Sequence, residues 1–244
     1  MHDLGSLFLI DDQLKIQKKN CDVEIKEKLE KIKEQIGNHN VKIIAVTKYA
    51  NQEQILEAYK LGISNFGESY VQDAQKKFSI KHFENSENLI KWHFIGRLQK
   101  NKARFVVGDF CLIHSVHSVE LAELINVIAI KKGLKQDILL QVNISQEATK
   151  SGFSSDGLKE SFKNLVNLSN LNIKGLMTMA PKTDNKNIIK SCFSGLFDLK
   201  EELNKLNLIN MQELSMGMTD DYKVAIECRT TIIRIGRGIF NNNN

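Results

Sequence analysis

The chain has 244 residues, which fits one large domain, because barrels of alternating strands and helices form a single core at about 250 residues. Its 42% apolar and 26% charged residues exclude a disordered chain, and its apolar runs are only strand-length, which excludes a transmembrane helix. The net charge of +5 comes from lysine-rich segments interleaved with glutamate, a pattern typical of solvated helix faces and not of a nucleic-acid groove.

The start of the chain and its cysteines predict a cytoplasmic protein. Residues 1–10 have neither a basic leader nor an apolar stretch long enough for a secretory signal. Four cysteines lie far apart, without the paired spacing of a metal or redox site: Cys21, Cys111, Cys192 and Cys228. We therefore expect reduced, packed thiols, no metal, and a reducing compartment.

The pattern along the chain predicts alternating strands and helices after an amphipathic N-terminal helix. Ile25, Leu29, Ile32 and Ile36 repeat at helical spacing on one face of that first helix. Eight short apolar runs follow and predict strands near Val41–Lys48, Ile63–Gly67, Lys91–Gly96, Phe110–Val116, Asp137–Asn143, Ile173–Met179, Glu213–Met216 and Thr231–Gly236. Helical patterns between them include Gln52–Leu61, Val119–Lys132, Ile188–Leu206 and Asp220–Cys228.

Eight strand-then-helix units in a chain of this length favour a closed (β/α)8 TIM barrel with an extra N-terminal helix. An open, doubly wound sheet is the alternative. No linker or composition break divides the chain, so we predict a single domain over residues 1–244. In such a barrel the carboxyl ends of the strands gather polar residues that are far apart in the sequence.

Lys48 ends the first predicted strand, and it is the leading candidate for covalent chemistry. A lysine at the end of a buried strand loses hydration, so its amine is neutral more often and can attack a carbonyl to form a Schiff base. The alternative is a strand-end lysine that simply reaches solvent. The other strand ends decide between the two.

The ends of the seventh and eighth strands suit an anion. Ser215 and Gly217 follow the seventh strand and Gly236 and Arg237 follow the eighth, and glycine lets backbone N–H groups approach a phosphate. Thr219 is predicted as the N-cap of the next helix. The alternative is that these glycines only form tight turns.

Arg234 completes a pattern that points to pyridoxal 5′-phosphate (PLP). It alternates with Ile233 and Ile235 and so faces the opposite side of its strand. The aldehyde of PLP would meet Lys48, its phosphate the last two strand ends, and its ring nitrogen Arg234. An arginine there disfavours protonation of that nitrogen and weakens the ring as an electron sink. An interior ion pair is the alternative for Arg234.

Other motifs are missing from the sequence. Gly236-Arg237-Gly238 lacks the third glycine of a dinucleotide fingerprint, and no Walker loop, zinc spacing or Gly-x-Ser-x-Gly elbow occurs. His93, His114 and His117 lie on or beside strands, where a histidine is more often a hydrogen-bonded core or rim residue than a catalyst.

Several motifs occur in a fixed order along the chain: Ala45–Lys48, Phe66–Gln72, Trp92–Gln99, Ile113–Val116, Val142–Ile144 followed by Glu147–Phe153, Gly175–Pro181, Ser215–Met218, and Arg234–Gly236 with Ile239 and Phe240. In these motifs the chain resembles the YggS/PROSC family of PLP homeostasis proteins, which is similar in fold to the barrel of alanine racemase. The resemblance covers roughly residues 12 to 240, and a run of colinear motifs is more specific than any one of them. It implies a PLP enzyme fold type III barrel.

The resemblance also implies a set of site residues. Lys48 would carry the covalent aldimine, Ser215 and the backbone around Gly236 and Arg237 would hold the phosphate, and Arg234 would face the pyridine nitrogen. Ser69 stands where the family usually has asparagine, in a polar contact near the cofactor. Arg237 replaces a small hydroxyl residue, and its guanidinium would either bind the phosphate in bidentate fashion or crowd the site.

The resemblance favours a protein that holds, buffers or delivers PLP without substrate turnover. Racemisation needs an acid/base group on each face of the substrate carbon, and alanine racemase draws the second from a C-terminal domain that we do not expect here. The alternative is a fold-type III enzyme such as an amino-acid racemase, with a base from the neighbourhood of Tyr49 or His93. We expect no catalytic residues, a monomer, PLP-dependent apoenzymes as candidate partners, and no nucleic-acid or membrane partner.

Overall fold

The eight predicted strands are all present and close into a barrel. A computed structural model describes residues 23–48, 50–78 and 90–240. The strands are β1 (Lys42–Val46), β2 (Asn65–Glu68), β3 (Lys91–Phe94), β4 (Leu112–Val116), β5 (Gln136–Gln141), β6 (Leu171–Met177), β7 (Glu213–Ser215) and β8 (Ile232–Ile235). Each strand pairs in parallel with the next, and β8 pairs with β1, which places Arg234 beside Ile44. The closed barrel is confirmed, and the open sheet is wrong.

Seven helices accompany the strands in the described residues. They are α1 (residues 23–36), α2 (Gln52–Lys60), α3 (Val71–Phe78), α4 (Val119–Lys131), α5 (Ser155–Val166), α6 (Lys186–Asn204) and α7 (Tyr222–Glu227). A 3-10 helix, Lys100–Phe105, follows β3. Side-chain hydrogen bonds cap the N-termini of several helices. At α2 the Asn51 side chain accepts a hydrogen bond from the backbone N–H of Gln54, and the Gln54 side chain accepts one from the backbone N–H of Asn51.

The apolar residues form an outer and an inner layer. Outside the barrel, Ile233 and Ile235 pack with the buried face of α1, where the predicted residues Ile25 and Leu29 are 2% and 1% exposed. Inside it, a small cluster consists of Ile44, Leu112, Leu139, Met177 and Ile232. Because successive side chains of a strand face opposite sides, Arg234 points inward with Ile232. The barrel therefore has a core of its own below its carboxyl rim.

Two glycines are required by the backbone around β7. A Cβ at Gly175 would lie 1.8 Å from the carbonyl oxygen of Glu213, so only glycine lets β6 approach β7 there. Gly217 has φ +96°, and a Cβ would lie 2.6 Å from that of Ala225 in α7. These contacts fix the path of the chain from β7 into α7.

Three expectations fall partly outside the described residues. Cys21, Tyr49 and both ends of the predicted 1–244 domain lie there, so the domain limits stay a prediction. Among the described cysteines, Cys192 and Cys228 are buried as predicted, whereas Cys111 is exposed and is not a packing residue. No helix in the described part of the chain combines the length and apolar character needed to cross a membrane. The same residues contain no His, Cys, Asp or Glu cluster suited to a metal ion.

Candidate functional site

A cavity at the carboxyl ends of the strands brings together most of the predicted site residues. This rim cavity has a volume of about 460 Å³ and is lined by Val46, Lys48, Ser69, Ile95, Met179, Met218, Thr219, Asp220, Arg234, Gly236, Arg237 and Phe240. Five of the six predicted cofactor residues belong to that lining. The sixth, Ser215, lies beneath it and is completely buried. The volume falls in the usual range of small-molecule sites, about 300 to 1,000 Å³.

Lys48 lies two residues beyond the end of β1 and is exposed. Its ammonium lies over the ring of Tyr70, 6.0 Å from the ring centroid. The expectation that the strand itself removes water from Lys48 is wrong, because the strand ends at Val46 and the lysine reaches the rim. Activation of the amine by dehydration would need a ligand that covers it.

A buried ion pair lies next to the backbone that presents Lys48. Glu68 is completely buried, and its Oε1 accepts hydrogen bonds from Lys77 Nζ and from the Thr47 hydroxyl, each at 2.5 Å. Lys77 Nζ also donates to the carbonyl oxygen of Thr47 at 2.5 Å, and the backbone N–H of Ser69 donates to the second Glu68 oxygen at 3.3 Å. This cluster ties the residue before Lys48 to β2 and α3.

Arg234 reaches the rim cavity from below and is held at both ends of its guanidinium. Nη1 donates to Ser215 Oγ at 2.6 Å, and Nη2 donates to the carbonyl oxygen of Thr178 at 3.1 Å. Burial lowers its pKa to about 10, and the negative charge of Asp221 opposes that shift. It therefore remains a cation at neutral pH. The alternative of an interior ion pair is wrong, since Arg234 forms no salt bridge with any acid in the described residues.

Ser215 and two histidines continue from Arg234 into the barrel. The ring of His114 contacts Ser215 Oγ through Nδ1 at 2.9 Å and His93 Nδ1 through Nε2 at 3.1 Å. Burial lowers the pKa of His93 to about 3, with smaller contributions from the charges of Lys42 and Lys91. Burial, the neighbouring His93 and Arg234 also lower the pKa of His114. Both are hydrogen-bonded core histidines. The phosphate contact expected of Ser215 stays a prediction, because here its hydroxyl serves Arg234 and His114.

The loop after β7 forms the other wall of the rim cavity. Thr219 Oγ1 accepts a hydrogen bond from the backbone N–H of Gly238 at 3.3 Å, and this contact joins the loops that follow β7 and β8. Thr219 does not cap a helix, contrary to the prediction: α7 starts at Tyr222 with Asp221 as its N-cap, and the Asp221 carboxylate accepts from the N–H of Met218. The loop between β7 and α7 therefore contains six residues, 216–221, where the sequence pattern indicates three, 217–219.

Arg237 forms an ion pair at the mouth of the rim cavity. Its Nη2 lies 2.7 Å from Asp220 Oδ2, and the two side chains are 73% and 77% exposed. A pair this exposed contributes little to stability. It does place a guanidinium beside Gly236, Gly238 and Thr219, where the sequence predicts an anion.

Two larger cavities lack most of the predicted cofactor-binding residues. One, of about 740 Å³ at the amino ends of the strands, includes Lys42, Lys91 and Lys174, but Lys42 and Lys174 are paired with Glu213 and Asp137. The other, of about 890 Å³, runs along α6 and α7 and shares Met218, Asp220 and Arg237 with the rim cavity. Neither is lined by Lys48, Ser69, Arg234 or Gly236.

Comparison with known proteins agrees with this geometry. The family model "Alanine racemase, N-terminal domain" matches residues 23–243. A pyridoxal phosphate homeostasis protein of Aquifex aeolicus is 38% identical over 205 residues, which are 84% of this chain and 88% of that protein. The protein of the same name from Haemophilus influenzae is 38% identical over 224 residues, 90% of this chain and 93% of that one.

The chain belongs to the pyridoxal phosphate homeostasis protein family. Two structures of PipY from Synechococcus elongatus PCC7942 are similar to it. The one without PLP has a TM-score of 0.83 at 34% identity, and the one with PLP bound a TM-score of 0.81 at 33%. Each match covers 89% of this chain and 100% of PipY. An alanine racemase of Clostridium difficile shares the fold at 16% identity with a TM-score of 0.75, and this chain spans 56% of it.

Within this family fold, sequence reasoning missed three residues at or beneath the site. The sequence pattern predicts Thr219 as a helix cap, although glycine-containing loops, whose backbone N–H groups can bind an anion, lie on both sides of its hydroxyl. His114 and Thr178 touch Ser215 and Arg234 only through contacts between strands that are distant in the sequence. No local pattern reveals those contacts.

Proposed function

We propose that this protein binds PLP in the rim cavity and serves intracellular PLP homeostasis by holding, buffering or delivering the cofactor. One observation carries the proposal: Lys48, the buried cation Arg234 and the loops with Thr219 and Arg237 line one cavity of suitable volume. The names of the relatives and the PLP-bound structure of PipY support it. A cytoplasmic location, a monomeric state and transfer to apoenzymes belong to the same proposal.

The residues present fit the three functional groups of PLP. Lys48 would hold PLP covalently through its amine, because the aldehyde of PLP is an electrophile that condenses with a primary amine. Arg234 would face the ring nitrogen, and Ser69 would make a polar contact beside the ring. Gly236, Arg237 and Thr219 would surround the phosphate, with Ser215 acting through Arg234.

The surroundings of Arg234 favour binding over turnover. A permanent cation beside the pyridine nitrogen opposes its protonation, and an unprotonated ring stabilises a carbanion poorly. His93, considered above as a base for an enzyme, is 3% exposed and bonds to His114 and Asn65, away from the rim cavity. We therefore propose that no amino-acid substrate is turned over.

Two measurements test the proposed function. Absorbance near the aldimine band, before and after borohydride reduction, followed by mass spectrometry, should find one PLP label on Lys48. Incubation of the loaded protein with single L-amino acids should give neither racemisation nor keto acid above the rate of free PLP. Sustained turnover would support the racemase-type enzyme, and a label absent or on another residue would contradict PLP binding as described.

Arg234→Ala is expected to keep the Lys48 adduct but to shift its absorbance maximum and to release PLP faster. The alanine removes the charge that faces the ring nitrogen, while Lys48 remains in place. Visible spectra of the reconstituted variant and its rate of PLP loss on dilution measure both effects, with Arg234→Lys as the charge-preserving control. An unchanged spectrum would show that Arg234 does not touch the ring.

Arg237→Ala is expected to weaken PLP retention about tenfold, the size of one hydrogen bond between charged groups. Asp220→Asn should strengthen retention, because it frees the guanidinium and removes an anion near the phosphate. Dissociation rates in the presence and absence of inorganic phosphate measure this, with the exposed Arg104→Ala as control. Tighter retention by Arg237→Ala would mean instead that the arginine crowds the phosphate.

A further inference from the structure

A line of side-chain hydrogen bonds runs from the rim cavity to the amino end of the barrel. It starts at Arg234, passes through Ser215 and His114 to His93, and ends where His93 Nε2 lies 3.0 Å from Asn65 Oδ1. Each of its four contacts is between 2.6 and 3.1 Å. Of these five residues only Arg234 lines the rim cavity, and the proposed function gives the two histidines no role.

The chemistry of the five groups fixes the direction of every bond. Asn65 Nδ2 donates to Ser64 Oγ at 3.2 Å, which leaves Oδ1 as an acceptor toward His93. His93 therefore carries its hydrogen on Nε2, and as a buried neutral ring it accepts at Nδ1.

The same logic carries the direction through the second ring to the arginine. His114 donates from Nε2 to His93, so its own Nδ1 accepts the Ser215 hydroxyl. Because that hydroxyl hydrogen is committed to His114, a lone pair of Ser215 Oγ faces the Arg234 guanidinium. Every hydrogen bond in this line is therefore donated in the direction from Arg234 toward Asn65. Successive hydrogen bonds in such an arrangement strengthen one another.

We propose that His114 and His93 are positioning residues for Arg234: they orient the Ser215 hydroxyl as an acceptor and so hold the guanidinium where it meets the cofactor ring. This inference rests on the proposed function, in which Arg234 faces the ring nitrogen of PLP. A serine hydroxyl can rotate, so Ser215 alone would not fix the arginine. The hydrogen bond to His114, which His93 orients in turn, prevents that rotation.

The first test compares the PLP-loaded wild-type protein with three variants at His114 and Ser215. His114→Phe removes both ring nitrogens, and Ser215→Ala removes only the connecting oxygen; each should shift the absorbance maximum of bound PLP as Arg234→Ala does. Release of PLP should become about tenfold faster, as for loss of one hydrogen bond to a charged group. His114→Gln offers one acceptor and one donor and should restore the wild-type spectrum.

A control separates positioning from general destabilisation. Gln136 is 2% exposed and forms hydrogen bonds with backbone atoms of Gly108 and Phe110, which do not belong to this line of side-chain hydrogen bonds. Gln136→Leu should lower the unfolding temperature but leave the PLP spectrum unchanged. If Ser215→Ala and His114→Phe both keep the wild-type spectrum and release rate while the wild type carries its Lys48 label, the positioning role is wrong and the proposed function stands.

The second test needs no cofactor. Nitrogen-15 NMR of the ligand-free protein at pH 7 should show His93 and His114 both neutral with the hydrogen on Nε2. A charged ring or an Nδ1–H tautomer at either position would overturn the inferred direction of the chain, and with it the positioning role. Failure of the wild type to take up PLP would contradict the proposed function separately, because the tautomers are measured without it.

Discussion

Lys48→Ala is expected to abolish the covalent PLP adduct while changing the free energy of unfolding by no more than about 0.5 kcal/mol. Lys48 is exposed at the rim and lies beyond the end of β1, so the barrel loses little packing when its side chain is removed. The amine, in contrast, is the atom that would form the imine. Borohydride reduction followed by mass spectrometry measures the adduct, and thermal unfolding measures the fold.

Lys42→Ala provides a matched control at the opposite end of the same strand. Lys42 begins β1, and its ammonium is 3.1 Å from Glu213 on the amino side of the barrel. This variant should keep the full PLP label. Loss of the label from both variants, or unfolding of Lys48→Ala, would count against a specific role for Lys48.

Glu68→Gln is expected to destabilise the protein by about 3 to 5 kcal/mol, because it leaves the ammonium of Lys77 without its carboxylate in a buried place. The pair is nearly inaccessible, with Glu68 0% and Lys77 13% exposed. For a chain of this size that free energy lowers the unfolding temperature by roughly 6 to 20 °C. Because Lys77 also holds the carbonyl of Thr47, release of PLP should become faster as well.

Two comparisons isolate the buried charge. Glu202→Gln breaks a pair with Lys159 in which both partners are over a third exposed, and should change stability by less than about 1 kcal/mol. The double variant Glu68→Gln with Lys77→Met removes both charges and should recover most of the loss. A double variant as unstable as Glu68→Gln alone would show that the altered contact with the Thr47 hydroxyl, and not the unpaired ammonium, causes most of the loss of stability.

The strands could be predicted because each is a short apolar run that ends in a polar or glycine residue. Helix α5 was harder to recognise, since its start at Ser155 depends on a cap by Ser154 and its apolar stripe is interrupted by polar residues. Helix α3 is only eight residues long and mostly polar. Local patterns of this kind do not distinguish a short surface helix from a loop.

Most of the site could be predicted for a similar reason: strand ends converge in a barrel, so Lys48, Arg234 and Gly236 meet without any knowledge of their contacts. The remainder depends on side chains that are distant in the sequence. His114 and Ser215 are 101 residues apart yet share a hydrogen bond, and Arg237 meets Asp220 across two loops. The exposure of Lys48 depends on β1 ending two residues earlier than its pattern indicates.

The apolar cluster inside the barrel has a consequence for an empty protein. Ile44, Leu112, Leu139, Met177 and Ile232 fill the interior below the rim, and every strand is hydrogen-bonded on both sides. Vitamin B6 bound at the rim would therefore stabilise a barrel whose interior is already packed without it. The described barrel should therefore keep its fold without bound cofactor, because none of its strands has an unpaired edge that could pair with a neighbouring chain.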